Sequence, residues 1–317
     1  MSKEFQQVAW DEALEDDCRH LIRLAVREDL DRRLDVTTAA LIEPQARGCA
    51  DMVARQAGIA CGLQACRVIL EEMEIDAEWV PHLRDGDPLT AGTKLATIAG
   101  AARDLLTAER LLLNFAGRLA GIATWTNRFV RQLEGTRARI YDTRKTTPGW
   151  RRLEKYAVRC GGGCNHRTGL FDAVLIKDNH LAHVASSDAK PMSPAEAVAH
   201  ARARLATLLP SEFEQLIVEV EVDSLEQLKS VLSQRPDIVL LDNMTLDQLH
   251  AAVLIRNDLA PDTELEASGG VTLERISAIA RTGVERISVG ALTHSAIAID
   301  IGMDWRRPEE PAAERRG

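Results

Sequence analysis

The chain has 317 residues, of which 45% are hydrophobic, 27% are charged and 4% are aromatic, and its formal net charge is -9. A chain of this length can bury a substantial core, and two domains are more typical of it than one. The negative charge argues against a general DNA-binding or membrane-surface protein, and the few aromatic side chains argue against a base-stacking surface for single-stranded nucleic acid.

The sequence also bears on the cellular compartment. Its amino terminus has no apolar core of the signal-peptide type, and no window reaches the apolar length of a membrane span. Six cysteines without a secretion signal are expected to be free thiols. The spacing of Cys160 and Cys164 before His166 is not one of the usual zinc patterns. We therefore expect a cytoplasmic protein without a disulfide framework.

The first hundred residues predict a helix followed by a small sheet. Apolar residues fall on one stripe of an amphipathic helix over residues 11–30, and residues 35–38 are predicted to form a loop. Between residues 48 and 100, short alternating runs broken by Gly, Pro and Asp predict a sheet with a helix near residues 64–72.

The longest helical pattern covers residues 103–133, where leucines recur at helical spacing. Gly117 and Gly121 are predicted to interrupt this helix, since glycine is a poor helix former. Arg110 stands within the run and, taken alone, would be a surface residue.

After residue 137 the pattern becomes strand then helix, repeatedly. Ser193, Ser224 and Thr245 each begin a capping-box pattern that predicts a helix start. Strands are predicted at residues 138–142, 173–177, 216–222, 238–242, 264–268 and 286–290. This spacing is typical of βα units in a parallel barrel or in an open doubly wound sheet.

The run Ile217 to Val222 favours a barrel over an open sheet. Its alternation places Glu219 and Glu221 on one face and valines on the other. In an open sheet helices would cover both faces, and two buried glutamates would be costly. A barrel offers a polar mouth for one of the faces.

The stretch from Asp142 to His180 is strongly basic, with eight Lys or Arg against four acidic residues. Its basic residues bracket the glycine run 161–163, follow two predicted strands, and are not arranged along a helix face. A local positive excess next to a flexible glycine loop suits a phosphate- or carboxylate-rich small molecule.

In a barrel the site lies at the carboxyl ends of the strands. Here those ends, with the loop before the second strand, supply Arg144, Lys145, His166, Arg167, Lys177, Glu221, Asp242, Ser268, Gly269, Gly270, Gly290 and Ala291. Such a set of bases, acids and glycine turns fits a sugar phosphate that carries pyrophosphate, together with a second anionic partner. The absence of a G-x-x-x-x-G-K-[ST] motif disfavours an ordinary P-loop NTPase.

A linked series of motifs is also present, in the order DTRKTTPG, LEKYAV, GGG, NHR, GL and IKDNH. This series closely resembles the signature of the quinolinate phosphoribosyltransferase family, and the resemblance runs from about Glu28 to about His294. The Gly-x-Gly-Asp turn usual in that family is replaced here by the residues 31–35.

The resemblance implies a fold and an assembly. The fold would be α/β, an incomplete TIM-like α/β barrel over residues 121–292 with a smaller N-terminal α+β open-sandwich domain over residues 1–120, onto which the segment from about 293 to 317 packs. The motif around Arg110 resembles the family's helix whose arginine reaches into the neighbouring subunit. A homodimer with a shared active site, or a larger assembly such as a hexamer, would follow.

The resemblance also implies an activity, the Mg2+-dependent transfer of phosphoribosyl from 5-phosphoribosyl-1-pyrophosphate to quinolinate, with loss of pyrophosphate and CO2. The product would be nicotinate mononucleotide, a precursor of NAD. Carried over residue by residue, the carboxylates and pyrophosphate would bind to Arg144, His166, Arg167, Lys177 and the neighbouring subunit's Arg110. Thr143 would be a further substrate-binding residue, and Lys145 would lie between the two substrates. Glu221 and Asp242 would hold the ribose hydroxyls and the metal, and the 5-phosphate would be cradled by Ser268, Gly269, Gly270, Val289, Gly290 and Ala291.

Three alternatives remain open. The chain would also fit a related phosphoribosyltransferase that acts on another carboxylated ring. Lys177 at a strand end would suit a Schiff-base aldolase or decarboxylase. A non-catalytic sensor would bind the anion alone, but it would gain nothing from carboxylates next to a phosphate.

Overall fold

The computed structural model describes residues 3–183 and 192–306. The helices are α1 (Glu12–Leu30), α2 (Val36–Leu41), α3 (Leu63–Glu72), α4 (Ala102–Arg131), α5 (Arg151–Cys160), α6 (Asp178–His183), α7 (Pro194–Leu208), α8 (Leu225–Leu232), α9 (Leu246–Leu259), α10 (Ile276–Arg281) and α11 (Ala291–His294). The strands are β1 (Arg47–Ala54), β2 (Gly58–Ile59), β3 (Ala77–Pro81), β4 (Pro88–Leu89), β5 (Lys94–Ala101), β6 (Arg139–Tyr141), β7 (Ala173–Ile176), β8 (Ile217–Val222), β9 (Ile238–Asp242), β10 (Glu264–Ser268), β11 (Arg286–Ser288) and β12 (Ile301–Trp305).

The described chain forms two compact units. The barrel unit comprises residues 3–8, 126–146, 163–183 and 192–294, and the second unit comprises residues 9–125, 147–162 and 295–306. The helix α4 runs from the second unit into the barrel unit. None of the helices in the described ranges combines the length and the apolarity that crossing a membrane requires.

The barrel unit is built on six parallel strands in the order β6-β11-β10-β9-β8-β7. Within the described residues no ladder joins β6 to β7, so the barrel is incomplete. The central strand β9 is a buried apolar run, as a parallel strand covered by helices requires, whereas β8 and β10 alternate apolar residues with glutamates. The predicted incomplete α/β barrel is confirmed.

The barrel interior is more polar than the sequence suggested. Glu219 on β8 was predicted to face a polar mouth together with Glu221, but it lies fully buried. Glu266 and Arg286 are fully buried on β10 and β11. Arg286 donates to Glu266 at 3.3 Å, to Glu264 at 2.7 Å and to Glu4 at 3.0 Å. Buried charges of this kind persist only when they are paired.

The second unit is organised around a four-stranded antiparallel sheet in the order β12-β1-β5-β3. The carboxyl-terminal strand β12 completes this sheet by pairing with β1, from Ala50 opposite Trp305 to Ala54 opposite Ile301. All six cysteines of the chain are free thiols, as predicted.

Two local predictions in this unit were wrong. Residues 35–38 do not form a loop, because the Asp35 carboxylate accepts a hydrogen bond from the Thr38 amide and caps α2. Nor do Gly117 and Gly121 interrupt α4, which is continuous. The carbonyl groups of the segment 297–299 pass so close to these glycines that an added Cβ would lie within 3.0 Å of them.

Candidate active site

A cavity of about 660 Å³ opens at the carboxyl ends of the barrel strands. Every strand of the parallel sheet reaches it, either through its own residues or through the loop that follows. Its lining residues are Thr143, Arg144, Lys145, His166, Arg167, Leu175, Lys177, Glu221, Leu240, Asp242, Asn243, Glu266, Ser268, Gly269, Gly270 and Ser288. The rule that a barrel's site lies at the carboxyl ends of its strands, here called the strand-end rule, therefore led to a real cavity within the barrel unit.

Lys145 is exposed to the cavity and held by its backbone. Its amide donates to the Thr143 hydroxyl at 3.0 Å, and its carbonyl accepts from the Thr293 hydroxyl at 2.8 Å. A Cβ at Gly290 would lie 3.0 Å from the Lys145 side chain, so that glycine leaves room for the lysine. These contacts hold the backbone of Lys145 in place, while the residue itself is exposed.

Arg144 and Arg167 bring two guanidinium groups into the same region. Arg167 is buried and donates to the Ala173 carbonyl at 3.3 Å. Burial lowers the pKa of Arg167, and the positive charge of Arg144 lowers it further. The Nε of Arg144 is buried and has no hydrogen-bond partner among the described residues. A buried donor without an acceptor next to a like charge is the arrangement that a bound anion would relieve.

His166 is buried, and both of its ring nitrogens face protein atoms. Nδ1 accepts the Arg167 amide at 2.8 Å, so the ring proton resides on Nε2. Nε2 lies 3.0 Å from a Glu219 carboxylate oxygen and 3.6 Å from a Glu266 oxygen. These are close contacts and not aligned hydrogen bonds, since neither Glu219 oxygen has a hydrogen-bond partner within the described residues. A neutral His166 reduces the cationic set expected from the sequence.

His166, Glu219 and Glu266 also present ligand atoms within 4.8 Å of one another, a grouping that could in principle hold a metal. The Nε2 proton opposes this, because a coordinating nitrogen must be unprotonated. Burial and the Glu219 charge raise the pKa of Glu266, and the same carboxyl group already accepts a hydrogen bond from Arg286.

Lys177 and Glu221 form an ion pair at the ends of β7 and β8. The lysine side chain is 40% exposed and that of Glu221 is 15% exposed, so the pair lies at the cavity wall and is open to a ligand from the lysine side. Two residues predicted from separate strand ends therefore meet.

The turns after β9 and β10 pack against each other. Asn243 donates from its side chain to the Asp242 carboxylate at 2.8 Å, and its amide donates to the Ser268 carbonyl at 2.9 Å. Gly269 has a φ of 89°, and a Cβ there would collide with the Asn243 side chain. Only glycine adopts this positive φ without strain and also avoids the collision with Asn243. The turn therefore leaves its backbone exposed to the cavity.

Some predicted residues lie outside this lining. Val289, Gly290 and Ala291 follow β11, with the Val289 amide bonded to the Tyr141 carbonyl, but they are not among the lining residues. Arg110 is an exposed residue of α4 and belongs to the second unit. The expectation that the basic residues avoid a helix face was wrong, since Arg151, Arg152, Lys155 and Arg159 all lie on α5, in the second unit.

The sequence did not predict five of the lining residues, the apolar Leu175 and Leu240 and the polar Asn243, Glu266 and Ser288. Glu266 could have been found, because it lies two residues before Ser268 and alternation puts both on the same face of β10. The same argument applied to β11 would have given Ser288.

The chain matches two family models, the quinolinate phosphoribosyl transferase C-terminal domain over residues 122–304 and the N-terminal domain over residues 35–120. A relative from Mycobacterium leprae named nicotinate-nucleotide pyrophosphorylase [carboxylating] is 44% identical over 291 residues, covering 91% of this chain and 97% of that protein. A Bacillus subtilis protein named as a probable enzyme of the same kind is 39% identical, over 84% of this chain and 86% of its own length.

Solved structures agree with the sequence relatives. The nicotinate-nucleotide pyrophosphorylase from Francisella tularensis is similar with a TM-score of 0.84 and 35% identity, covering 96% of this chain and all (100%) of that one. These matches extend over both units. The chain therefore belongs to the quinolinate phosphoribosyl transferase family.

Proposed function

We propose that this protein transfers the phosphoribosyl group of 5-phosphoribosyl-1-pyrophosphate to quinolinate and releases pyrophosphate and CO2, giving nicotinate mononucleotide for NAD biosynthesis. The observation that carries the proposal is the cavity itself, in which four cationic side chains face two strand-end carboxylates and the turn at Gly269. Family membership is the independent support.

The cations hold the two anionic substrates. Arg144 and Arg167 receive the quinolinate carboxylates, which satisfies the buried Arg144 Nε and offsets the repulsion between the two guanidinium groups. Lys145 and Lys177 face the pyrophosphate, and Ser268 and the glycine turn after it take the 5-phosphate.

The carboxylates act on the sugar. Glu221 and Asp242 accept hydrogen bonds from the ribose hydroxyls and favour the positive charge that develops at the sugar C1. The ring nitrogen of quinolinate forms a bond to C1 as the bond from C1 to the pyrophosphate oxygen breaks. The C2–carboxylate bond then breaks, CO2 leaves, and C2 takes up a proton. The quaternised nitrogen stabilises the electron pair left on C2, so positioning and charge suffice without a covalent nucleophile.

Mg2+ is part of the proposal as a partner of the pyrophosphate. Glu221 and Asp242 are the carboxylates that would hold it, and because Glu221 is already paired with Lys177, contact through water fits better than direct ligation. When bound, the ion would supply charge neutralisation for the leaving group.

We also propose a cytoplasmic homodimer whose active site is completed by Arg110 of the neighbouring subunit. Mixing an Arg110→Ala chain with an Asp242→Ala chain should restore part of the activity, because a mixed dimer contains one site with both residues intact. No recovery in mixed dimers would count against the shared site.

The deciding assay uses purified protein with quinolinate, 5-phosphoribosyl-1-pyrophosphate and Mg2+, and follows CO2 release. Nicotinate and other pyridine acids serve as controls, since turnover of a different carboxylated ring would support the related phosphoribosyltransferase instead. Absence of CO2 release from quinolinate would refute the proposal.

The Schiff-base alternative is disfavoured by one observation. Lys177 is paired with the Glu221 carboxylate, whereas a Schiff-base lysine must present a free amine. Borohydride should therefore trap no carbonyl substrate on Lys177.

A further inference from the structure

The first described residues of the chain, 3–8, lie inside the barrel unit, and we call them the amino-terminal segment. Phe5 is only 4% exposed and belongs to a buried cluster with Tyr141, Ala173, Ile217 and Ile238. Tyr141 lies on β6 and Ala173 lies on β7, the two edge strands of the parallel sheet as the described ranges form it. Phe5 thus packs in the barrel unit with residues of four strands, β6, β7, β8 and β9.

Gln7 bonds to the backbone of Asn165 in both directions. The Gln7 side-chain nitrogen donates to the Asn165 carbonyl at 3.1 Å, and the Gln7 side-chain oxygen accepts the Asn165 amide at 2.8 Å. The Val8 amide donates to the Asn165 side-chain oxygen at 2.8 Å. Three hydrogen bonds from two consecutive residues therefore fix Asn165, which immediately precedes His166 and Arg167.

Asn165 is linked by hydrogen bonds to the two stretches of chain that carry Arg144 and Arg167. Its side-chain nitrogen donates to Asp142 at 2.6 Å, and the other Asp142 oxygen accepts the His166 amide at 2.9 Å. Asp142 is fully buried and lies two residues before Arg144. A displacement of Asn165 would thus alter the positions of Arg144 and Arg167 together.

Phe5 and Glu4 also contact His166 and the residues around it. The Phe5 ring stacks on His166 with 4.3 Å between centroids. The Glu4 carboxylate accepts from Arg286, which in turn pairs with Glu266. The amino-terminal segment therefore contacts the His166 ring through Phe5 and is linked to Glu266 through Arg286.

We propose that the amino-terminal segment is a positioning element for substrate binding and that Gln7 is a positioning residue, which acts through Asn165 to set the orientation of the His166–Arg167 loop. This inference rests on the proposed function for the identity of the ligand. Gln7 is not among the residues that line the cavity, so its effect passes through the residues it bonds, which are Asn165 and, through a 2.8 Å hydrogen bond to its carbonyl, Phe5.

The test compares Gln7→Ala with Gln6→Ala, in which the same residue type is removed from an exposed neighbouring position. Steady-state kinetics give kcat and the KM values of both substrates, hydrogen exchange reports the amides of residues 164–168, and thermal melting monitors the fold. Gln7→Ala should raise the KM for quinolinate by about tenfold, leave the KM for 5-phosphoribosyl-1-pyrophosphate within about twofold, and accelerate exchange in the loop. Gln6→Ala should match the wild type in every measurement.

Equal kinetics and equal loop exchange in the two variants would overturn the proposal. So would a parallel rise in both KM values accompanied by a lower melting temperature, because that pattern reports general destabilisation. If the wild type does not turn over quinolinate, the proposed function fails, while the exchange comparison still decides whether Gln7 orders the loop.

Discussion

The substitution Arg144→Ala should weaken quinolinate binding without lowering the stability of the unliganded protein. The Nε atom of Arg144 is buried and has no hydrogen-bond acceptor in the described structure. A bound carboxylate would accept from it, and one charge-assisted hydrogen bond contributes about 1.5 to 3 kcal/mol. Its loss should raise the Kd for quinolinate roughly 10- to 150-fold.

The same substitution should leave the unliganded protein as stable as the wild type, or more stable. The charge of Arg144 contributes to the lowered pKa of Arg167, so the two guanidinium groups repel each other when no anion is bound. Alanine removes this repulsion, and it removes no hydrogen bond from Nε, which makes none with the described part of the chain. A residue retained for folding would behave in the opposite way.

Calorimetric titration with quinolinate and thermal melting without ligand give the two quantities. Arg144→Lys is the matched control, because it keeps the charge and the repulsion but loses the planar fork that binds a carboxylate in a bidentate manner. It should bind quinolinate more weakly than the wild type and melt at the same temperature. Unchanged quinolinate affinity in Arg144→Ala, or a marked fall in its melting temperature, would refute the reasoning.

Three further substitutions or treatments test other parts of the structure. Gly269→Ala should lower the stability by about 1 to 3 kcal/mol and weaken the binding of 5-phosphoribosyl-1-pyrophosphate. Gly92→Ala is the control, because Gly92 has a similar φ of 85° but nothing within 4 Å of an added Cβ. In thermal melting it should show only the smaller loss of stability that comes from the backbone conformation. Gly121→Ala should destabilise the protein in denaturant titration despite a gain in helix propensity of about 1 kcal/mol, because the new methyl group would collide with a carbonyl; a more stable variant would contradict the close approach. Burial raises the pKa of Cys18 to about 12, so the native thiol should resist iodoacetamide at about pH 9, and rapid labelling there would contradict its burial.

The parts of the fold that local chemistry dictates were predictable from the sequence. The strands β9 and β10 were predicted to the residue, because β9 is a short apolar run, β10 alternates polar with apolar residues, and a turn follows each strand. The helices after Ser193 and Thr245 begin at complete capping boxes. Once the strands were placed, the strand-end rule brought Lys177, Glu221 and Asp242 to one cavity without any knowledge of side-chain contacts.

What the sequence did not reveal depends on contacts between distant segments. Gly117 and Gly121 look like helix breaks because glycine has a low helix propensity. In the structure, backbone carbonyl groups distant in sequence lie where a side chain at these positions would be. The basic residues 151–159 look like part of the loop around the cavity, but they form α5 and belong to the second unit. Charge counted along the chain cannot tell which basic residues face one ligand.

His166 shows why a residue type alone does not define a role. A histidine next to an arginine in a basic stretch suggests another cation for the substrate, and the sequence contains nothing against that interpretation. The structure gives its Nδ1 an amide donor, which places the proton on Nε2 and keeps the ring neutral. It also stacks the ring on Phe5, more than 160 positions earlier in the chain. His166 therefore contributes to the site through its orientation, its neutral ring and its link to Arg167, and the positive charge that attracts the substrates must come from Arg144, Lys145, Arg167 and Lys177.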